Sequence, residues 1–290
     1  MSCNGVLNVY KTKDISSNYV VITIKKILKN KKIGHTGTLD PLACGVLPIC
    51  IGSATKVSEY LLSNDKTYNV KVQFGILTDT YDLEGTILKE DKDLKVDPLK
   101  LMDVLKSFVG EYEQVPPKYS ALKVNGVRAY DLARKGIDFQ LKSRKIKIHN
   151  ISNIKINNNI CMFTVKCSKG TYIRSLCKDI GEKLGTYGTM IYLERAVSGF
   201  FTKETSVNFQ DLNEEIILNN IIPIEEIIPM PKLEIKDEEI LKLLLNGVNV
   251  KNPKYISQIS PGMYFLHNGI KLLGICQRET EFLKLVKFLN

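Results

Sequence analysis

Residues 34–49 read GHTGTLDPLACGVLPI and pack three glycines, two prolines, one of the chain's three histidines and an aspartate into sixteen positions. That is the composition of a shaped loop whose apolar tail runs into a buried strand. Glycine lets another backbone or a ligand come close, and proline removes freedom, so Asp40 is expected to be presented by a loop that moves little. A rigidly held carboxylate is a catalytic candidate. An Asp-Pro pair is also an ordinary turn or helix N-cap, and on its own it is more often that. The decision rests on the rest of the chain.

Upstream, GVLNVY (5–10) has the pattern of a short strand, and Ser16-Ser17-Asn18 offers an N-cap to a helix carrying Val20, Val21, Ile24, Ile27 and Leu28. Lys25, Lys26, Lys29, Lys31 and Lys32 bring positive charge up to Gly34. Downstream, Val57, Tyr60 and Leu61 mark a short helix, and TYNVKVQFGI (67–76) alternates cleanly. Tyr68, Val70, Val72, Phe74 and Ile76 therefore share one strand face, with Tyr68 at its open end as plain core or as a cleft wall. The acidic TDTYDLEG (78–85) reads as loop and carries no assigned chemistry.

Asp97-Pro98 opens a helix expected to turn Leu101, Leu105, Phe108 and Val109 inward before Gly110. From 114 to 147 the text mixes prolines, an Asn-Gly turn and a basic excess interleaved with Tyr119 and Tyr130. Lysine and arginine meet phosphate and aromatics stack on bases, so this reads as an inserted nucleic-acid clamp, or else as a merely basic surface. Residues 146–167 form a hairpin pattern, followed by SKGTYIRSLCKDIGEKLG, a strand end, a turn and a helix with Ile173, Leu176, Ile180 and Leu184 inward. Tyr172 and Arg174 sit at that junction, and an arginine early in a helix wants an anionic partner. MIYLERAVSGFF looks like a closing strand with Leu193 inside. PIEEIIPMP (223–231) reads as a linker into a β-rich module of residues 231–290 that begins with a helix capped by Asp237.

Length and composition set the outer bounds. A chain of 290 residues can bury one large core and a small second one. Forty-one Lys and Arg against 31 Asp and Glu leave +10, which calls for a polyanionic partner, nucleic acid or an anionic membrane surface. No apolar run reaches bilayer length and the N-terminus lacks a signal-peptide pattern, so the expected location is the cytoplasm. Seven cysteines (3, 44, 50, 161, 167, 177, 276) form no CxxC pair and read as reduced small hydrophobes, and three histidines argue against a metal site.

GVLNVYK, SSN, GHTGTLDPLACGVLPICIGSATK, KTYNV, YSALKVNG, CSKGTYIRSL and IYLER, in this order and spacing, resemble the bacterial tRNA pseudouridine synthases that modify the T-loop uridine. The resemblance runs from residue 5 to about 200. It implies an α+β fold, a mixed, largely antiparallel sheet with flanking helices in a catalytic domain of residues 1–230, with the basic insertion at 114–147. A small β-barrel-like RNA-binding domain of residues 231–290 follows, similar to the pseudouridine synthase and archaeosine transglycosylase type. By the same resemblance Asp40 is the catalytic aspartate, and His35, Tyr68, Tyr172, Arg174 and Leu193 bind the substrate. The implied partner is the tRNA T-arm, with no cofactor, no metal, no membrane and no obligate protein partner, and the chain acting as a monomer.

Two departures stand out. The family has Lys-Pro-x-Gly where this chain has Lys11-Thr12-Lys13-Asp14, which bears on the rigidity of that turn. It has a second basic residue where this chain has Glu194, which removes an RNA contact. Two other readings stay open at this point. One is a noncatalytic protein that opens and recloses RNA; the other is a nucleotide-binding enzyme whose GHTG cradles phosphate, weakened by the lack of a P-loop or dinucleotide glycine pattern.

Overall fold

A computed structural model describes residues 4–29, 32–62 and 64–289; Cys3 and Lys31 lie outside the described residues. In chain order the first half comprises β1 (Gly5–Lys11), α1 (Ser17–Leu28), β2 (Ile33–His35), β3 (Cys44–Ile51), α2 (Ser58–Leu62), β4 (Lys66–Phe74), β5 (Ile76–Thr78) and β6 (Ile87–Glu90). Next come α3 (Pro98–Lys106), β7 (Gly110–Gln114), β8 (Lys123–Val124), β9 (Val127–Arg128), α4 (Ala129–Arg134), β10 (Arg144–Asn157), β11 (Ile160–Cys167), α5 (Ile173–Leu184) and β12 (Gly188–Ser198). The chain ends with β13 (Phe201–Thr202), β14 (Val207–Asn208), α6 (Glu214–Asn219), β15 (Ile221–Ile222), α7 (Ile224–Ile227), β16 (Lys232–Glu234), α8 (Glu238–Leu245), α9 (Pro253–Ile256), β17 (Gly262–Asn268), β18 (Lys271–Arg278) and β19 (Leu283–Phe288).

The large sheet runs β14-β1-β3-β12-β4-β11-β10-β7. Only β1/β14 and β3/β12 pair in parallel along that path, so the α+β, mixed and largely antiparallel expectation holds. Strand β12, expected to close the sheet, lies in its middle, because it arrives from α5 and inserts between β3 and β4. Close approach there requires glycine: Gly45 has φ +112°, and a Cβ on it would collide with the carbonyl oxygen of Arg195.

Helices α1, α3 and α5 cover the sheet with the expected residues. Val20, Val21 and Ile24 of α1 are buried, as are Ile173, Leu176, Ile180 and Leu184 of α5. Asp97 caps α3 by accepting from the Leu99 and Lys100 amides, and Leu101, Leu105 and Phe108 turn inward. Val109 does not; it is 46% exposed because the helix ends at Lys106, and Val104 takes the inward position instead.

The C-terminal strands form a sheet in the order β16-β17-β18-β19, open at both edges rather than a barrel. Four strands, one of them only three residues long, are too few to close on themselves. Instead α8 packs beside β19, and Val250 pairs with Leu283 along that edge. The stretch expected as a linker is itself core. Ile224, Ile227 and Ile228 are buried with Val6, Val46 and Cys50 on one side and with Phe265, Ile275 and Leu289 on the other. Burying this apolar surface fastens the small sheet to the large one. Among the described residues no helix is long and apolar enough to cross a membrane.

Candidate active site

The site begins with how residues 36–41 are pinned. Ser17, the first residue of α1, is buried and clasps Leu39 from both sides: its Oγ accepts from the Leu39 amide (2.8 Å) and donates to the Leu39 carbonyl (2.9 Å). One residue beyond Asp40, the Pro41 carbonyl accepts from the Asp14 amide (2.9 Å) and from Lys11 Nζ (3.2 Å). Lys11 is fully buried and also donates to the carbonyls of Thr12 and Ile15, at 2.9 and 2.7 Å. Burial pushes its ammonium down to about 8. Asp14 reaches Pro41 by adopting φ +67°, a left-handed conformation that favours glycine. The turn at Asp40-Pro41 is real, with the Ala43 amide donating to the Asp40 carbonyl (3.0 Å), and it coexists with a carboxylate that is only half-buried.

Across a cavity of about 650 Å³, Arg174 meets Asp40 through both carboxylate oxygens: Nε to Oδ2 at 2.9 Å and Nη2 to Oδ1 at 3.2 Å. Such a two-pronged, charge-assisted pair fixes direction as well as charge. Arg174 is buried, whereas the Asp40 side chain keeps 32% of its surface open. The same guanidinium holds two further segments. Nη1 faces Asp82 Oδ2 and donates to the Thr80 carbonyl, both at 3.3 Å, and Nη2 donates to the Tyr119 carbonyl (2.9 Å). One side chain thus ties the Asp40 loop, the acidic 78–85 loop and the basic insertion together.

The insertion lies over the cavity, contributing Tyr119, Tyr130 and Arg134 to its lining. Tyr119 Oη donates to Asp79 Oδ2 (3.3 Å), tying it to the acidic loop. Its Asn125-Gly126 turn joins β8 to β9, both residues having positive φ. Tyr172 is held as Leu39 is: the Gln114 side-chain amide accepts from the Tyr172 amide (2.8 Å) and donates to its carbonyl (3.1 Å). Tyr68 and Leu193 project from β4 and β12 into the same cavity. Burial raises the phenols of Tyr68 and Tyr172 above their ordinary range, with the Arg195 charge opposing the shift at Tyr68.

Asp40, Tyr68, Tyr172, Arg174 and Leu193 therefore converge. His35 does not join them. It pairs with Ile49 at the end of β2, and the cavity lining starts at Gly37. Its ring is half-buried, and burial followed by the Arg195 charge lowers its pKa, so it is neutral near pH 7.

Sequence reasoning missed Ser17, Gln114, Asp82 and Arg195. Ser17 was visible only as a cap candidate, and the cap proper is Ser16. Glu194, expected as a lost RNA contact, points to the opposite side of the sheet from Leu193 and Arg195. It accepts from Tyr10 Oη (2.7 Å), Asn69 Nδ2 (2.9 Å) and Lys203 Nζ (2.7 Å). Burial alone would raise its pKa; those three donors outweigh it and hold the carboxyl below its usual range. Among the described residues no cluster of His, Cys, Asp and Glu has the makings of a metal site, and the six described cysteines are unpaired.

Residues 25–173 match the family model described as TruB family pseudouridylate synthase (N terminal domain), and residues 174–228 match that of the tRNA pseudouridylate synthase B C-terminal domain. Two curated relatives named tRNA pseudouridine synthase B are similar over 99% of both chains. That of Clostridium tetani is 47% identical over 288 residues, and that of Clostridium perfringens (strain 13 / Type A) 48% over 292. Among solved structures, a chain of a Cbf5-Nop10-Gar1 complex superposes with a TM-score of 0.70 at 27% identity, covering 99% of this chain and 85% of that one. The chain of an archaeal box H/ACA Nop10-Cbf5 complex gives 0.69 at 26%, covering all of this chain and 87% of that one. With full-length likeness, both family models and a shared fold in agreement, this chain belongs to the TruB family of pseudouridylate synthases.

Proposed function

We propose that this protein isomerises the T-loop uridine of tRNA, position 55, to pseudouridine, working in the cytoplasm as a monomer without cofactor or obligate protein partner. The observation that carries the reading is the two-pronged Arg174–Asp40 pair inside a cavity walled by Tyr68, Tyr172 and Leu193.

Pseudouridine formation breaks the N1–C1′ bond, turns the base and rejoins it through C5, with no net redox change and no group lost. The reaction asks for a nucleophile or charge stabiliser at an anomeric carbon, the task an ionised carboxylate performs in retaining glycosidases. Asp40 fills that role, either attacking C1′ or assisting formation of a glycal. Arg174 supplies the compensating charge that a carboxylate in a partly closed pocket needs. Tyr68 stacks on the base and stands where the C5 proton must leave, with Tyr172 and Leu193 completing the pocket.

The uridine must first be turned out of its stack, at a cost on the order of a few kcal/mol. His35, five residues before Asp40 and outside the cavity, is suited to fill the vacated space, because a neutral ring stacks without bringing a charge. The insertion at 114–147 and the module at 231–290 provide phosphate contacts, so log affinity falls with log salt by roughly 0.7 to 0.9 per phosphate. The test is to incubate the protein with unmodified tRNA transcript and map pseudouridine by carbodiimide labelling and primer extension. A single stop at position 55 is expected; no stop, or a stop elsewhere, refutes the assignment.

A further inference from the structure

Of the other cations bordering the same cavity, Arg134 and Lys169 are exposed, whereas Arg195 and Lys66 are buried in surroundings unlike those of Arg174. Arg195 on β12 lies directly opposite Tyr68 on β4, and Lys66, two residues before Tyr68, shares its strand face. Arg195 is 1% exposed and Lys66 7%. Their partners are uncharged: Arg195 Nε donates to the Val46 carbonyl (2.7 Å) and Nη2 to that of Gly37 (3.2 Å), with a further hydrogen bond to the Tyr68 side chain, while Lys66 Nζ donates to the carbonyls of Leu62 (2.9 Å) and Asn64 (2.5 Å). Carbonyls satisfy donors but cancel no charge. Among the described residues neither cation forms an ion pair with a carboxylate. Asp40 and Asp82 go to Arg174, and Asp65 Oδ2 lies 3.2 Å from His149 Nε2. Burial first, and then the Arg195 charge, push the Lys66 ammonium down to about 8.

A buried like-charged pair facing an open cavity is costly until an anion arrives. The lining also holds Asp79, Asp82 and Glu84, beside which an anion is disfavoured. We propose that Arg195 and Lys66 form a phosphate subsite that takes one phosphodiester group flanking the uridine presented to Asp40. The subsite rests on the uridine-isomerase reading above and adds to it an orientation: sugar toward Arg174 and Asp40, phosphate toward Arg195 and Lys66. Each free N–H on the two cations then meets a phosphate oxygen, and the charge carried by the wall is neutralised on binding.

The test uses T-arm RNA in which one linkage beside the target uridine is a neutral methylphosphonate, on the 5′ side in one oligonucleotide and the 3′ side in another. Affinity and pseudouridine yield are measured for the natural protein and for Lys66→Gln. For the natural protein, neutralising one of the two linkages raises Kd about tenfold, as expected for a lost charge-assisted contact. Lys66→Gln loses a similar factor on ordinary RNA, shows a salt slope smaller by about one, and is insensitive to the neutral linkage. The subsite is overturned if the natural protein forms pseudouridine with unchanged Kd on both neutral oligonucleotides. It is overturned equally if Lys66→Gln stays as sensitive to the linkage as the natural protein. The natural protein's own response to the two modified RNAs tests the subsite whether or not the variant folds. Absence of pseudouridine from ordinary RNA would instead strike down the reaction assigned to the cavity, and the subsite with it.

Discussion

Arg174 and Arg195 face one cavity in opposite company. Arg174 answers two carboxylates and two carbonyls from three segments of chain, while Arg195, among the described residues, answers uncharged groups, two carbonyls and the Tyr68 side chain. The first is a completed structural and chemical pair, worth most when intact and costly when half is removed. The second is an uncompensated charge whose partner must come from outside. Burial alone does not tell a binding cation from a scaffolding one; the charge balance around it does.

The largest effect comes from breaking the completed pair. Arg174→Met leaves Asp82 buried without a cation, so unfolding free energy is expected to drop by about 3 to 5 kcal/mol. Turnover in single-turnover tritium release is expected to fall by about a thousandfold. Arg174→Lys keeps the charge but loses the fork, and should recover most of the stability with little of the rate. Unchanged stability in Arg174→Met, measured by thermal and urea unfolding, would contradict the hub assigned to this residue.

Next is the clasp that aims Asp40 at Arg174. Ser17→Ala leaves the buried Leu39 amide and carbonyl without their partner, costing about 1 to 3 kcal/mol of stability. Because the clasp positions the carboxylate and does not touch RNA, kcat should fall while RNA affinity in filter binding stays within about twofold. Weakened binding at unchanged kcat would mean that the loop serves recognition instead.

The uncompensated cations have a pH signature. Lys66 holds its proton less tightly when folded, at about 8, than the ordinary 10.5 of an unfolded chain. Between those values the unfolded state carries more protons, so this group makes stability rise with pH, at up to about 1.4 kcal/mol per unit. Lys11 behaves alike. Buried phenols and thiols titrate in the same range with the opposite sign, so the readout is the difference between the natural protein and Lys66→Gln. The natural protein should gain relative to the variant as pH climbs from about 8 to 10.5, and a flat difference would show Lys66 to be solvated.

The smallest effect concerns the turn beneath the clasp. Asp14→Gly relaxes a left-handed residue while giving back some chain entropy, for a net gain of at most about 1 kcal/mol. A melting temperature unchanged or slightly raised fits the account; a clear loss would mean that the Asp14 side chain has a role of its own.

Much of this arrangement was legible. Alternation in 67–76 placed Tyr68 on the inward face of β4, and the helical spacing of Ile173, Leu176, Ile180 and Leu184 set Arg174 at a helix start. What stayed hidden depended on contacts between distant segments. The acidic loop at 78–85 looks like solvated charge until Asp82 is found against Arg174, 92 residues away by number. Alternation from Leu193 sets Arg195 on the inward face of its strand, but only the register with β4 sets it beside Tyr68. Likewise, nothing in PIEEIIPMP announces that its isoleucines bridge two sheets, since a short apolar run between prolines fits a linker equally well. The barrel expected at the C-terminus failed on strand count and closure, which alternation within single strands does not report.

In the proposed reaction the Asp40 carboxylate, aimed by Ser17 and charge-paired with Arg174, performs the isomerisation. The direct measurement is tritium release from tRNA carrying C5-labelled uridine by the natural protein and by Asp40→Asn, with filter binding of both. Release is expected to be abolished in the variant while binding persists, since the isostere keeps the shape and removes only the charge. Release by Asp40→Asn at a rate near that of the natural protein would contradict the proposed reaction.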